Sequence, residues 1–228
     1  MIHMKKINVI LMLTSLLFVN KNVKAQAFQK GNINVDVGVG FGLYGGTSKF
    51  KVSIDGTSFR ANDPMGAFSV IFPLGVEYGI GENVGVGLDL LISNYDVGSN
   101  DSDAVFSKFN SIDVGGKCNY HLLNAAKNDL FISFGLGYSK LNIQLKENEV
   151  VGSSSSSSGF YYGLGFTDRL YFNEIIGVSF NLGYRGYSYS SIKMELKDGT
   201  DAESDNIPNF RASWDLTLSG MTAGVGVT

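Results

Sequence analysis

Residues 32–43 read NINVDVGVGFGL. In an extended strand successive side chains point to opposite sides, so Ile33, Val35, Val37, Val39, Phe41 and Leu43 share one face. Asn32, Asn34, Asp36, Gly38, Gly40 and Gly42 share the other. The fold turns on which of these two faces meets water.

The same alternation recurs along the chain. Phe68, Val70, Phe72, Leu74, Val76, Tyr78 and Ile80 form one apolar row, and after the turn GEN a second follows in Val84, Val86, Leu88, Leu90 and Ile92, the pattern of a tight hairpin. Further rows are Ile112, Val114, Cys118 and Tyr120, then Ile132, Phe134, Leu136 and Tyr138. Phe160, Tyr162, Leu164 and Phe166 come next, and Ile176, Val178, Phe180, Leu182 and Tyr184 follow. A last strand covers 211–227, where apolar positions switch from Trp214, Leu216 and Leu218 to Met221, Ala223, Val225 and Val227, which predicts a bulge near Ser219 and Gly220. A similar slip is expected after Tyr138, where the apolar positions move to Leu141, Ile143 and Leu145.

The connections alternate in kind. Those after strands one, three, five and seven are long or polar (GGTSKFKVSIDGTSFRANDPMG, GSNDSDAV, KENEVVGSSSSSSG, KDGTDAESDNIPN), while the others are GEN, LNAAKND and NE. Short turns at one end and long loops at the other characterise outer-membrane barrels, with the long loops outside. An even number of antiparallel strands closed on itself satisfies every backbone polar group without water.

The first 25 residues are set apart from this pattern. MIHMKK is a basic start, INVILMLTSLLFV an apolar run too short for a membrane span, and Val23 and Ala25 are small residues placed for cleavage after Ala25. Removing Lys5, Lys6, Lys21 and Lys24 leaves 14 basic residues against 21 acidic, a net charge of −7 for 26–228. That balance, with no basic run, excludes a nucleic-acid binder. The single cysteine, Cys118, excludes a disulfide framework and a cysteine-based zinc site.

A soluble lipocalin-like barrel would put the apolar rows inside and the polar rows in water. The polar rows, however, are mostly Gly, Ser and Asn, which suit the narrow interior of an eight-stranded barrel, and turning the sheet over would carry Asp36, Glu77 and Asp89 into hydrocarbon. A midplane Arg or Lys there costs roughly 2–4 kcal/mol and a carboxylate somewhat less. Two aromatic girdles are expected. Tyr44, Phe68, Phe106, Tyr138, Phe160, Tyr187, Tyr189 and Trp214 lie toward the long loops, and Tyr78, Tyr120, Tyr171 and Phe172 toward the short turns. A β-sandwich would not predict the loop asymmetry. The fold expected is therefore all-β: an eight-stranded antiparallel transmembrane up-and-down barrel over 26–228, after a cleavable signal peptide at 1–25.

The stretches GVEYGIGENVGVGLDL, VGGKCNYHL and FGLGYS resemble the strands and turns of small outer-membrane β-barrel proteins of the OmpA/OmpX and porin-like kind in Gram-negative bacteria, and the resemblance covers 27–228. It implies residence in the outer membrane among its lipids and lipopolysaccharide, and insertion by the barrel-assembly machinery. One departure is the end GVGVT, where such proteins usually carry a terminal aromatic residue.

Some barrels of this size modify lipid A, chemistry that needs a histidine or comparable base near the outer leaflet. His121 is the only histidine after the signal, and strand four runs inward, which puts it at the periplasmic turn. Asp36, Glu77, Asp89, Asp113 and Asp215 are expected in the lumen with Lys117, Arg169 and Arg185, because charges confined there must be paired or hydrated. This set is read as a polar plug that fixes the barrel; the alternative is a narrow ion path or gate. The serine run at 153–158 reads as a loop tip. FKVSIDGTSF and SIKMELKDGT read as hairpins that project outward around Asp-Gly turns and offer strand edges to a partner. GVGFGLYGG opens no helix and has no following Lys-Ser or Lys-Thr, so it is not a phosphate loop. The function expected is that of a monomeric structural or surface-interaction barrel with no cofactor, with a small channel as the alternative and a lipid-modifying enzyme third.

Overall fold

The computed structural model describes residues 27–54, 57–97, 106–145, 154–190, 192–195 and 211–228; the expected signal peptide and both expected Asp-Gly turns, 55–56 and 198–199, lie outside them. Eight long antiparallel strands form a closed ring: β1 (Ile33–Ile54), β2 (Thr57–Gly79), β3 (Val84–Val97), β4 (Phe106–Asn124), β5 (Asn128–Leu145), β6 (Ser154–Tyr171), β7 (Gly177–Tyr189) and β9 (Arg211–Val227). Each pairs with its chain neighbour, and β9 closes the ring on β7 and β1. The three residues of β8 (Lys193–Glu195) add to the upper end of β6.

Alternation decides the two surfaces. Ile33, Val37, Phe41 and Leu43 are exposed on the outside of β1, whereas Gly40, Gly42 and Tyr44 are buried inside. From Ile33 to Leu43 the apolar row runs about 33 Å along the strand at ~3.3 Å per residue, which at a tilt of ~40° spans ~25 Å, the height of a lipid-facing band. Ring closure pairs the backbone inside that band, so the strands carry no open edge into hydrocarbon.

Several expectations are corrected by the register. The ladder between β1 and β9 is unbroken from Val37–Val227 to Ser53–Arg211, so the expected bulge at Ser219–Gly220 is absent and Leu216 and Leu218 point into the lumen. No slip follows Tyr138 either: β5 stays in register with β6 to Gln144, and Leu141 and Ile143 are buried inside. Both sets imitate a lipid-facing row because apolar character alone does not distinguish hydrocarbon from an apolar interior. Tyr44, Tyr171, Tyr187 and Tyr189, expected in the girdles, are buried in the lumen. Trp214 also leaves the girdle, since its indole packs on the inner cluster and donates from Nε1 to Ser48 Oγ at 2.8 Å. Phe68, Tyr78, Tyr120, Tyr138, Phe160 and Phe172 do face outward and are exposed.

The first long connection is itself strand. β1 and β2 pair continuously to Ile54–Thr57, so the hairpin expected at FKVSIDGTSF extends the barrel wall upward. Serines 154–158 are not a loop tip but the start of β6, held by β5 on one edge and partly by β8 on the other. Of the stretch SIKMELKDGT, expected to form a projecting hairpin, Lys193–Glu195 pair with β6, and its Asp-Gly turn lies outside the described residues.

Glycine makes this interior possible. A Cβ at Gly42 would collide with the Tyr44 ring, at Gly75 with Lys117 Nζ, at Gly85 with the Glu77 carboxylate, and at Gly115 with the Tyr161 hydroxyl. Each bulky lumen side chain thus occupies the space that a bare strand leaves.

Candidate functional site

The lumen is organised in three layers. At the floor, near the short turns, Arg169 on β6 is fully buried and gathers three carboxylates. Its Nε and Nη2 donate to Asp36 at 3.1 and 2.6 Å, the forked geometry that favours arginine over lysine. Its Nη1 donates to Asp129 Oδ2 at 3.1 Å and lies 2.8 Å from Glu77 Oε2 as an ion pair outside hydrogen-bond alignment. His121 bridges the same acids, with Nδ1 2.5 Å from Asp129 Oδ1 and Nε2 2.9 Å from Glu77 Oε1. Both ring nitrogens thus face carboxylate oxygens, and the imidazole spans Asp129 and Glu77. Asn119 Nδ2 completes Glu77 at 2.6 Å. Lys117 pairs with Asp89 at 2.9 Å and reaches Asp36 at 4.0 Å.

The N-terminal segment closes this floor from below. Phe28 is fully buried and stacks on His121 with ring centroids 3.5 Å apart; Phe131, tilted against the imidazole at 5.0 Å, in turn carries Arg169 at 4.4 Å. Asn124 clamps the Phe28 backbone, accepting from its N–H at 3.0 Å and donating to its carbonyl at 2.8 Å. Gly31 turns the chain into β1 at φ 89°, a left-handed conformation suited to glycine, and its N–H donates to Gly79 O at 2.8 Å.

Above the floor lies a cavity of about 130 Å³, walled by glycines such as Gly38, Gly135, Gly163 and Gly183 and edged by Lys117, Asp89, Tyr161 and Arg185. The Arg185 Nη1 and the Tyr161 hydroxyl have no hydrogen-bond partner among the described residues.

The roof is mainly apolar and aromatic. Leu91, Phe109, Leu141, Ile143, Leu216 and Leu218 pack with Tyr44, Tyr95, Tyr161, Tyr187 and Tyr189 into one buried cluster. At its underside Asp113 accepts from the Tyr187 hydroxyl at 3.1 Å and from Ser139, which also contacts the Tyr189 hydroxyl at 2.7 Å. Asp113 is thus solvated by hydroxyls rather than by a cation.

Of the residues singled out from the sequence, the structure brings Asp36, Glu77 and Arg169 into the floor, Lys117 and Asp89 just above it, Arg185 beside the cavity and Asp113 under the roof. Asp215 is corrected. With the β9 register unbroken it lies on the opposite parity to buried Leu216 and faces outward across from Lys49, outside the lumen. The sequence reading missed His121 and Asp129 as lumen residues. Parity could have found His121, two steps beyond Asn119 on the inward row, whereas Asp129 joins only because β5 sets it beside Arg169. Phe28 carried no signal, since it lies before the first strand. Among the described residues no group of histidine, cysteine, aspartate and glutamate has the arrangement of a metal site.

Comparison with known proteins returns proteins of the bacterial outer membrane. A structure of OprG from Pseudomonas aeruginosa aligns at a TM-score of 0.49 with 14% identity, over 88% of this chain and 99% of that one. A major outer membrane protein from Thermus thermophilus aligns at 0.45 with 17% identity, over 84% and 98%. Neisserial surface protein A aligns at 0.41 with 15% identity, over 82% and 96%. A search of curated proteins returned no match. The family model for the outer membrane protein beta-barrel domain matches residues 15–227, and the chain therefore belongs to that family of transmembrane barrels in the Gram-negative outer membrane.

Proposed function

We propose that this protein is a sealed barrel that acts at the cell surface, as a structural or binding element, through its outer loops and the raised β1–β2 hairpin, and that its lumen conducts nothing. The observation that carries this reading is that buried side chains occupy the lumen at its floor and again at its roof. Arg169, Glu77 and Asp129 below, and Leu141, Leu216 and Tyr189 above, are all almost wholly inaccessible to solvent. The cavity between them is bounded on both sides, and a stopper of Ala27 and Phe28 closes the periplasmic end. On this reading the chain is exported by the segment 1–25, inserted by the barrel-assembly machinery, and works as a monomer.

A hydrolytic or transferase role draws no support from His121. Both its nitrogens are engaged by carboxylates, Phe28 stacks on the ring, and the residue is buried, which leaves no approach for a substrate. Recording from the purified protein in planar lipid bilayers tests the sealed lumen. Silence at applied voltages of either sign is expected, and steady unitary currents would overturn the proposal in favour of a small channel.

A further inference from the structure

The outer face of the β1–β2 hairpin changes character just above the lipid-facing band. On β1 the outward row runs Phe41, Leu43, Gly45, Thr47, Lys49, Lys51, and on β2 Arg60 stands directly across from Lys51. All three cations are exposed. Cross-strand neighbours sit about 5 Å apart at Cβ and diagonal ones about 7–8 Å, so the three head groups share one small patch on a chain that is otherwise acidic. Like charges directly opposed weaken a strand pair. Among the described residues Asp215, opposite Lys49, is the one acid that borders them on the outward face, so three cations stand against one carboxylate and the patch is net cationic.

The height of the patch selects its occupant. Lys49 lies about 20 Å along the strand from Leu43 at ~3.3 Å per residue, or ~15 Å above the hydrocarbon edge at a ~40° tilt. An outward face at that level is flanked on the membrane side by the phosphorylated saccharides of the outer leaflet, which meet it laterally before any soluble partner does. We propose that Lys49, Lys51 and Arg60 form a docking surface for the phosphate groups of outer-leaflet lipopolysaccharide.

The test uses the full barrel isolated from outer membranes in a zwitterionic detergent and titrated with lipopolysaccharide, with enzymatically dephosphorylated lipopolysaccharide as a second arm. A charge near an anionic lipid surface contributes a factor of about five, so the triple variant K49A/K51A/R60A should bind about a hundredfold more weakly and Lys51→Ala alone about fivefold. The charge-retaining K49R/K51R/R60K should keep the affinity, and K30A/K127A, at the periplasmic end, should leave it unchanged. Native binding to dephosphorylated lipid should match that of the triple variant. Equal affinity of wild type and Lys51→Ala for intact lipopolysaccharide, or of the wild type for the two lipid forms, overturns the assignment. Lys51 is exposed and opposes a like charge, so its removal leaves the fold intact and the single variant stays informative if the triple does not refold.

Discussion

Replacing Arg169 by Met tests whether the floor of the lumen is held by its charges. Methionine keeps an unbranched chain over Phe131 but removes the guanidinium that donates to Asp36 at 2.6 and 3.1 Å and to Asp129 at 3.1 Å, and that lies 2.8 Å from Glu77. Removing one partner of a buried ion pair costs about 3–5 kcal/mol, mostly because the remaining charge is stranded. Three carboxylates are involved, but the cost does not triple. Glu77 and Asp129 keep His121, and Asp36 retains 21% side-chain exposure with Lys117 at 4.0 Å. The expected loss is therefore about 3–5 kcal/mol in total. Urea unfolding in phospholipid vesicles, followed through the fluorescence of the only tryptophan, Trp214, measures it. Adding Asp36→Asn to the Met variant should recover part of the loss, because it removes a stranded charge. A loss under about 1 kcal/mol, the value of an exposed pair, would refute a charge-held floor.

Tyr187→Phe removes the hydroxyl that donates to buried Asp113 and should cost about 1.5–3 kcal/mol, while Tyr161→Phe, whose hydroxyl is unpartnered, should be neutral in the same unfolding assay. The variant Asp215→Cys should react with a membrane-impermeant maleimide on intact cells and Leu216→Cys should not, since Asp215 faces out and Leu216 is fully buried; equal labelling would reinstate a bulge in β9. Phe28→Ala should release the N-terminal segment. The Gly31 amide, bonded to Gly79 O at 2.8 Å, is then expected to exchange its hydrogen at least about tenfold faster, the consequence of ~1.4 kcal/mol of lost docking. The same variant should remain silent in planar bilayers, because the Arg169 layer and the aromatic roof still close the lumen.

The lower half of the barrel is legible in the sequence because only one face of each strand there is apolar. Ile33 to Leu43 against Asp36, Gly38 and Gly40 leaves a single assignment of sides, and the short turns fix the register of the neighbours. The upper half is not legible in the same way. There the interior is also apolar, so Leu141, Ile143, Leu216 and Leu218 mimic a slipped lipid-facing row, and Tyr44, Tyr187 and Tyr189 mimic a girdle. Nothing local distinguishes a tyrosine at the membrane interface from one whose hydroxyl helps solvate an internal aspartate. The floor is legible as a collection of charges but not as a constellation, because Asp36, Glu77, Asp129 and Arg169 come from four strands that meet only on closure.

The glycines connect the two halves. An eight-stranded barrel has room for its own side chains and little more. Several of its tyrosines and lysines fit where a neighbour contributes no Cβ: Tyr44 beside Gly42, Lys117 beside Gly75 and Tyr161 beside Gly115. Outside the central cavity there is little slack: even a Cβ at Gly38 or Gly226 would meet Val225 O or Val37 O at 2.6 and 2.7 Å. Opening a path through it would require the buried floor around Arg169 and the apolar roof to give way together. On the proposed reading of a sealed lumen, variation that changes what the protein recognises is confined to surfaces outside the ring, and the part of the described wall that rises furthest beyond the lipid-facing band is the β1–β2 hairpin with Lys49, Lys51 and Arg60.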